Sequence, residues 1–122
     1  MKILVVDDSA VMRKVLIGAL EKGGIIDTGE AEDGAKTVEA VKTGDYDLVL
    51  LDWNMPGMSG IEALRAIRGA GNEIPIIMVT TEAQRWRVIE ALKSGANNYI
   101  VKPFQQNHII SKIKETMAKA TA

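Results

Sequence analysis

Short apolar runs alternate five times along the chain with stretches of helical periodicity, and this alternation restricts the possible folds most. Runs such as Ile3-Leu4-Val5-Val6, bounded by turn residues, predict buried strands. Apolar residues three and four positions apart, as at Val11, Met12, Val15 and Leu16, predict helices. Strands and helices that alternate at a spacing of about two dozen residues favour a parallel sheet with helices on both faces. The pattern therefore predicts an α/β protein rather than a solenoid, because the five segments do not resemble one another.

The boundaries of these elements follow from turn residues and from the apolar pattern. The second strand is less apolar than the others, which places it near an edge of the sheet. A short frayed tail is expected after Met117. We predict strands at residues 3–6, 25–31, 47–51, 74–79 and 99–101, and helices marked by Val11, Met12, Val15, Leu16 and Leu20, by Val38 and Val41, by Ile61, Leu64 and Ile67, by Ile89, Leu92 and Ala96, and by Ile109, Ile110, Ile113 and Met117.

Charge and cysteine content exclude several classes of function. The chain has 15 basic and 16 acidic residues, a net charge of −1, and no cysteine. This balance argues against a nucleic-acid or membrane partner, and the lack of cysteine excludes disulfides and thiolate chemistry. The sequence shows neither a secretory signal nor an apolar run of membrane-spanning length. We therefore expect one soluble, cytoplasmic domain over residues 1–122.

Polar side chains follow four of the predicted strands at the point where each strand ends. Asp7 and Asp8 follow the first strand, Asp52 the third, Thr80 the fourth and Lys102 the fifth. The carboxyl ends of parallel strands share one edge of the sheet, where open α/β folds place their chemistry. Taken singly, Asp7 or Asp8 could cap the first helix, Thr80 could cap the fourth, and Lys102 could be solvated. The combined pattern favours a functional site.

The chemistry of this set favours phosphoryl transfer. Three neighbouring carboxylates repel one another, which raises a pKa or attracts a cation. Ligands that are all oxygen indicate a hard ion, namely Mg²⁺, Ca²⁺ or Mn²⁺. A hard ion, an ammonium group and a hydroxyl around one carboxylate suit phosphoryl transfer, in which positioning and charge neutralisation do most of the work. Asp52 would then be the nucleophile and form an aspartyl phosphate.

The ordered motifs identify a resemblance that spans nearly the whole chain. The chain resembles the response-regulator receiver domains, and especially their single-domain chemotaxis members. This resemblance implies a flavodoxin-like (βα)5 fold with strand order 2-1-3-4-5. It also implies a single receiver domain without an output domain. The matching residues are Val5-Val6-Asp7-Asp8-Ser9, Leu51-Asp52-Trp53-Asn54-Met55-Pro56, Gly60, Val79-Thr80 and Tyr99-Ile100-Val101-Lys102-Pro103-Phe104.

The resemblance implies a phosphoacceptor and a metal site. Asp52 corresponds to the aspartate that accepts a phosphoryl group from a histidine kinase. Asp8 and Asp52 would bind Mg²⁺ together with the backbone carbonyl of Asn54, and Asp7 would assist. Such a protein catalyses only its own phosphorylation and dephosphorylation and is otherwise not an enzyme.

The resemblance further implies how the switch operates. Lys102 would contact the phosphoryl group, the Thr80 hydroxyl would move to bind it, and Tyr99 would swing inward. These movements would remodel the surface of the fourth helix, the fifth strand and the fifth helix. Asn54 and Glu82 occupy positions that tune autodephosphorylation. The peptide bond between Lys102 and Pro103 is expected to be cis, which is inexpensive before proline.

The partners follow from the same resemblance. We expect three partners: a histidine kinase, a phosphatase and a downstream target protein. A flagellar switch protein is one candidate for that target. Trp86 departs from the chemotaxis pattern and lies at the border of the predicted buried stripe. It would either pack partly against the sheet and a neighbouring helix or anchor a partner, because tryptophan is enriched in binding hot spots.

Four other functions compete with this interpretation. A receiver from a pathway other than chemotaxis, or one cut from a longer protein, would have the same motifs. A phosphorylation-independent interaction module would normally lose part of the acidic set, which is present here in full. A Mg²⁺-dependent phosphatase or phosphotransferase would need a cap or a substrate pocket. A flavin-binding protein would need a phosphate cradle where Asp7 and Asp8 stand.

Overall fold

In the part of the chain that the structure describes, five strands alternate with five helices. A computed structural model describes residues 1–120, so the end of the predicted domain and tail, Thr121 and Ala122, lies outside the described residues. The strands are β1 (Lys2–Val6), β2 (Asp27–Ala31), β3 (Leu48–Leu51), β4 (Ile76–Thr80) and β5 (Asn98–Val101). The helices are α1 (Ala10–Lys22), α2 (Gly34–Thr43), α3 (Gly60–Gly69), α4 (Arg85–Lys93) and α5 (Gln106–Ala120).

The sheet is parallel throughout, and its order is β2-β1-β3-β4-β5. This confirms the predicted α/β class, the strand order and the edge position of β2. Side chains of successive strand residues point to opposite faces, as at Ile3 and Leu4 of β1. Ile3 packs with Leu16 of α1 and Ile113 of α5. Leu4 packs with residues of α2, α3 and α4 on the other face. Over the described residues, no helix is long and apolar enough to cross a membrane.

The second strand begins later than predicted. We expected it at residue 25, whereas β2 begins at Asp27. The backbone N–H of Ile25 donates to the carbonyl of Leu20 over 2.9 Å, so Ile25 belongs to the turn that ends α1. The side chain of Ile26 is 81% exposed. Its β-branched character suits a strand, but the end of the preceding helix determines the path of the chain here.

The predicted buried stripe of α4 was wrong. Ile89 and Leu92 are 41% and 46% exposed, whereas Ala96 is buried as expected but lies beyond the end of the helix. Ala91 is the buried residue, because its small side chain lets this short helix lie close to the sheet. The pattern in α1 was also partly wrong, since Val11 and Val15 are exposed.

β1, β3 and β5 each begin one residue away from the predicted position, and β4 and α5 differ from the prediction as well. β4 begins at Ile76 rather than at residue 74, and it includes Thr80. Pro75 therefore precedes the strand, as its missing N–H favours. The tail expected after Met117 is helical as far as Ala120.

Candidate functional site

The backbone ladder places the polar residues that follow the strands. The N–H of Asp52 donates to the carbonyl of Val6 over 3.1 Å, and the N–H of Lys102 donates to the carbonyl of Thr80 over 2.9 Å. Pairing between strands thus continues one residue beyond their ends. The side chains that follow β1, β3 and β5 therefore meet at one edge of the sheet, beside the last residue of β4.

Three carboxylates form a cluster at this edge. Asp7, Asp8 and Asp52 each offer one oxygen, and these oxygens lie within 4.8 Å of one another. Asp7 and Asp52 are only 2% and 6% exposed, whereas Asp8 is exposed. A donor set made only of carboxylate oxygens fits a hard divalent ion such as Mg²⁺. One exposed ligand leaves the cluster open to solvent on the side from which an ion or a phosphoryl donor would enter.

Lys102 supplies the positive charge of the site. Its Nζ lies 2.8 Å from Oδ2 of Asp7 and 3.4 Å from Oδ2 of Asp52, and the side chain is 10% exposed. It is therefore not the solvated lysine that was the alternative interpretation. The peptide bond between Lys102 and Pro103 is cis, as the resemblance implied.

Burial sets the electrostatics of Asp52. Removal from water raises the pKa of the Asp52 carboxyl above its ordinary value, and the negative charge of Asp7 raises it further. The ammonium group of Lys102 opposes both effects. A partly desolvated carboxylate beside a cation can act as a nucleophile toward phosphorus while its charge remains balanced.

The helix caps decide between the functional and the ordinary roles of the polar residues. Ser9 caps α1, because its Oγ accepts from the N–H of Met12 over 3.2 Å. Neither Asp7 nor Asp8 has that role. Gln84 stands at the N-cap of α4, so Thr80 does not cap that helix.

Thr80 and Tyr99 are joined through Glu82. Thr80 is fully buried, and its Oγ1 accepts from the N–H of Glu82 over 3.3 Å. The hydroxyl of Tyr99 donates to the carbonyl oxygen of Glu82 over 2.5 Å. Burial and the nearby charge of Glu82 raise the pKa of Tyr99 to about 12, so the phenol remains a donor at neutral pH. The loop after β4 is thereby tied to β5.

Asn54 and Trp86 lie on the surface. Asn54 is exposed beside the acidic cluster, two residues after Asp52. Trp86 is 57% exposed on α4, and its ring lies against the guanidinium of Arg87. This exposure is compatible with partial packing of Trp86 and with a role in binding a partner, and both stay predictions.

Two arginines near the site were missed by sequence reasoning. Nη1 of Arg13 donates to the carbonyl of Asp7 over 2.7 Å, and its Nε pairs with Glu30 at 2.9 Å. Arg87 contacts Trp53, which directly follows Asp52. No local pattern marks these contacts, because Glu30 and Trp53 lie on other segments of the fold.

Comparison with known proteins places this geometry in a family. A family model described as the response regulator receiver domain matches residues 3–114. The chain is 43% identical over 117 residues to a chemotaxis protein CheY of Pseudomonas aeruginosa, covering 94% of each chain. It is 47% identical over 106 residues to chemotaxis protein CheY-3 of Vibrio cholerae, covering 85% of this chain and 82% of that one. A solved Francisella response regulator receiver domain superposes with a TM-score of 0.90 at 31% identity, covering 98% of both chains.

Proposed function

The chain belongs to the response regulator receiver domain family, whose members are signalling switches rather than classical enzymes, and we propose that it accepts a phosphoryl group on Asp52. The observation that carries this proposal is the contact of Lys102 with two buried carboxylates, Asp7 and Asp52. Such a lysine neutralises charge at the site where a phosphoryl group would arrive.

The proposed reaction is a transfer from a phosphohistidine of a histidine kinase. An oxygen of the Asp52 carboxylate forms a bond to phosphorus as the bond from phosphorus to the imidazole nitrogen breaks. The histidine is released and takes up a proton. Asp7, Asp8, Asp52 and the backbone carbonyl of Asn54 would hold Mg²⁺, which supplies neutralisation of the phosphoryl oxygens when bound.

The chain's own residues would then read the new charge. Lys102 can turn from Asp7 toward the phosphoryl oxygens, since its Nζ already lies between two acids. The Thr80 hydroxyl would move to donate to the same group. This movement would disturb the hydrogen bond that Oγ1 of Thr80 accepts from the N–H of Glu82. Because the Tyr99 hydroxyl donates a hydrogen bond to the carbonyl of Glu82, the Tyr99 ring would change position as well. Phosphorylation switches of this kind act by local charge on a bistable segment.

The positions two residues after Asp52 and Thr80 would set the lifetime of the phosphoryl group. Asn54 is exposed at the mouth of the site, and Glu82 is partly buried and pairs with Arg87 at 3.6 Å. We propose that both side chains influence the approach of the water that hydrolyses the aspartyl phosphate.

We further propose a chemotaxis pathway in the cytoplasm. The support is the naming of the relatives as chemotaxis proteins. The output surface would comprise α4, β5 and α5 with Tyr99 and Trp86, and its target a flagellar switch protein. A dedicated phosphatase would complete the set of partners.

The mass of the intact protein after incubation with acetyl phosphate tests the central proposal. We expect a gain of one phosphoryl group that requires Mg²⁺ and is absent in Asp52→Asn. The matched control is Asp45→Asn, which removes an exposed carboxylate from the loop before β3 and should leave the gain unchanged. A rapidly quenched sample without an adduct on the unsubstituted chain would overturn the proposal.

A further inference from the structure

Arg87 lies on α4 between two indole rings. Its guanidinium carbon is 5.0 Å from the ring centroid of Trp53 and 4.5 Å from that of Trp86. Its Nη2 is 3.6 Å from Oε1 of Glu82. The Arg87 side chain is 25% exposed, so these contacts form in a partly desolvated position. Cations are attracted to the faces of aromatic rings, and the attraction grows as water is removed.

These contacts connect the segment after β3 and the segment after β4 to the exposed side of α4. Trp53 directly follows Asp52, and its ring is buried. Glu82 follows Thr80 by two residues and donates its N–H to the Thr80 hydroxyl. Trp86, by contrast, is exposed on α4. The Arg87 side chain thus contacts Trp53 beside Asp52, Glu82 near Thr80, and the exposed Trp86.

Arg87 is held less firmly than Arg68, a partly buried arginine of α3. Arg68 donates hydrogen bonds of 2.9–3.1 Å to the carbonyls of Gly95 and Asn72 and to the side chain of Asn97. These bonds use most of the N–H donors of its guanidinium group. The Nε–H of Arg87 is buried and has no hydrogen-bond acceptor among the described residues. Its ion pair with Glu82 is long. A guanidinium with a spare donor and a loose pair can change position at low cost.

We propose that Arg87 is a positioning residue that couples the occupancy of Asp52 to the exposed face of α4 through Trp53, Glu82 and Trp86. This inference rests on the proposed phosphorylation of Asp52. When the Thr80 hydroxyl turns to the phosphoryl group, the backbone of Glu82 is released and the Glu82–Arg87 pair changes. The guanidinium shifts between the two rings, and Trp86 changes its surroundings.

Coupling of this kind acts in both directions. A partner protein that covers Trp86 would restrict Arg87, and through Glu82 it would favour the arrangement present when Asp52 is phosphorylated. Thermodynamic linkage requires that phosphorylation strengthen the binding of that partner by the same factor.

The two tryptophans make this coupling measurable. The nitrogen-15-labelled chain should give two indole N–H cross-peaks, which Trp53→Phe and Trp86→Phe assign. Beryllofluoride with Mg²⁺ serves as an unreactive analogue of the phosphoryl group on Asp52. We expect both cross-peaks of the unsubstituted chain to shift when the analogue is added. In Arg87→Met, which keeps the length of the side chain, the Trp53 cross-peak should still shift and the Trp86 cross-peak should not.

Arg85→Met is the matched control, since it removes an exposed arginine from the same helix. It should leave both shifts unchanged, and a dispersed backbone spectrum should show that each variant is folded. If the Trp86 cross-peak of the unsubstituted chain stays in place while that of Trp53 shifts, the coupling is overturned. It is also overturned if Arg87→Met retains the Trp86 shift. If neither cross-peak moves and no phosphoryl adduct forms, the proposed function itself fails.

Discussion

At the scale of single residues, the buried charge of Asp52, which its proposed function needs, lowers the stability of the fold. Burial and the charge of Asp7 raise the pKa of Asp52 in the folded state. The folded chain therefore binds a proton at Asp52 at a higher pH than the unfolded chain does. The ionised carboxylate lowers the free energy of unfolding at neutral pH, and this penalty disappears as the pH falls below the unfolded value.

We expect Asp52→Asn to raise the free energy of unfolding by about 1 kcal/mol at neutral pH in metal-free solution. The gain should shrink as the pH falls through the raised pKa, because the protonated aspartic acid is then as uncharged as asparagine. Urea unfolding at several pH values, with a chelator present, measures both effects. A less stable variant at neutral pH would mean that the contact with Lys102 outweighs the desolvation of Asp52.

The residues of the acidic cluster could be found from the sequence, whereas the arginines around them could not. Asp7 and Asp8 follow the first predicted strand and Asp52 follows the third, and strand ends are local features. Arg13 pairs with Glu30 and Arg87 contacts Trp53, and each pair joins separate segments of the fold. Such contacts depend on how helices are rotated on the sheet, which short-range periodicity does not determine.

At the scale of elements, the start of α3 is tied to the segment that carries Asp52. The N–H of Gly60 donates to the carbonyl of Trp53 over 2.8 Å. A Cβ at Gly60 would collide with the carbonyl oxygen of Asp52, which is backbone and cannot rotate away. Glycine here allows the helix to approach the phosphoacceptor segment closely.

Gly60→Ala should therefore destabilise the fold by about 1–3 kcal/mol, the usual cost of forcing extra atoms into a packed site. Gly18→Ala is the matched control, since a Cβ at Gly18 inside α1 meets nothing within 4 Å. That substitution should stabilise the fold by up to about 1 kcal/mol through helix propensity. Urea midpoints of the two variants compare them directly. Equal effects of the two substitutions would show that α3 can move away from Asp52 without cost.

The ends of helices also explain where sequence prediction of the elements failed. Gly23 and Gly24 predicted the end of α1 correctly, but Ile25 still closes that helix by a hydrogen bond. In α4 the apolar residues Ile89 and Leu92 face solvent, while Ala91 faces the sheet. A short helix with few apolar residues offers a weak periodic signal, and the sheet then decides which of its sides is buried.

At the scale of the whole molecule, the acidic cluster joins segments that follow β1 and β3, the central part of the sheet. Binding of Mg²⁺ there should stabilise the folded chain by mass action, by about 2.7 kcal/mol when free Mg²⁺ is 100 times its Kd. We expect the thermal midpoint to fall when a chelator removes Mg²⁺. In Asp8→Asn, which removes the exposed ligand, this difference should become smaller. Asp45→Asn should retain it in full, and a midpoint indifferent to chelator in the unsubstituted chain would contradict a Mg²⁺ site.

The sequence by itself determined the α/β class and the set of polar residues at strand ends, because periodicity and turn chemistry act over a few neighbouring residues. The strand order was implied by family resemblance and confirmed by the pairing of β1 with both β2 and β3. Only the tertiary structure decided that Lys102 lies closer to Asp7 than to Asp52, and that Arg87 lies between Trp53 and Trp86. Those distances depend on the packing of separate elements against one another, and no local stretch of sequence contains them.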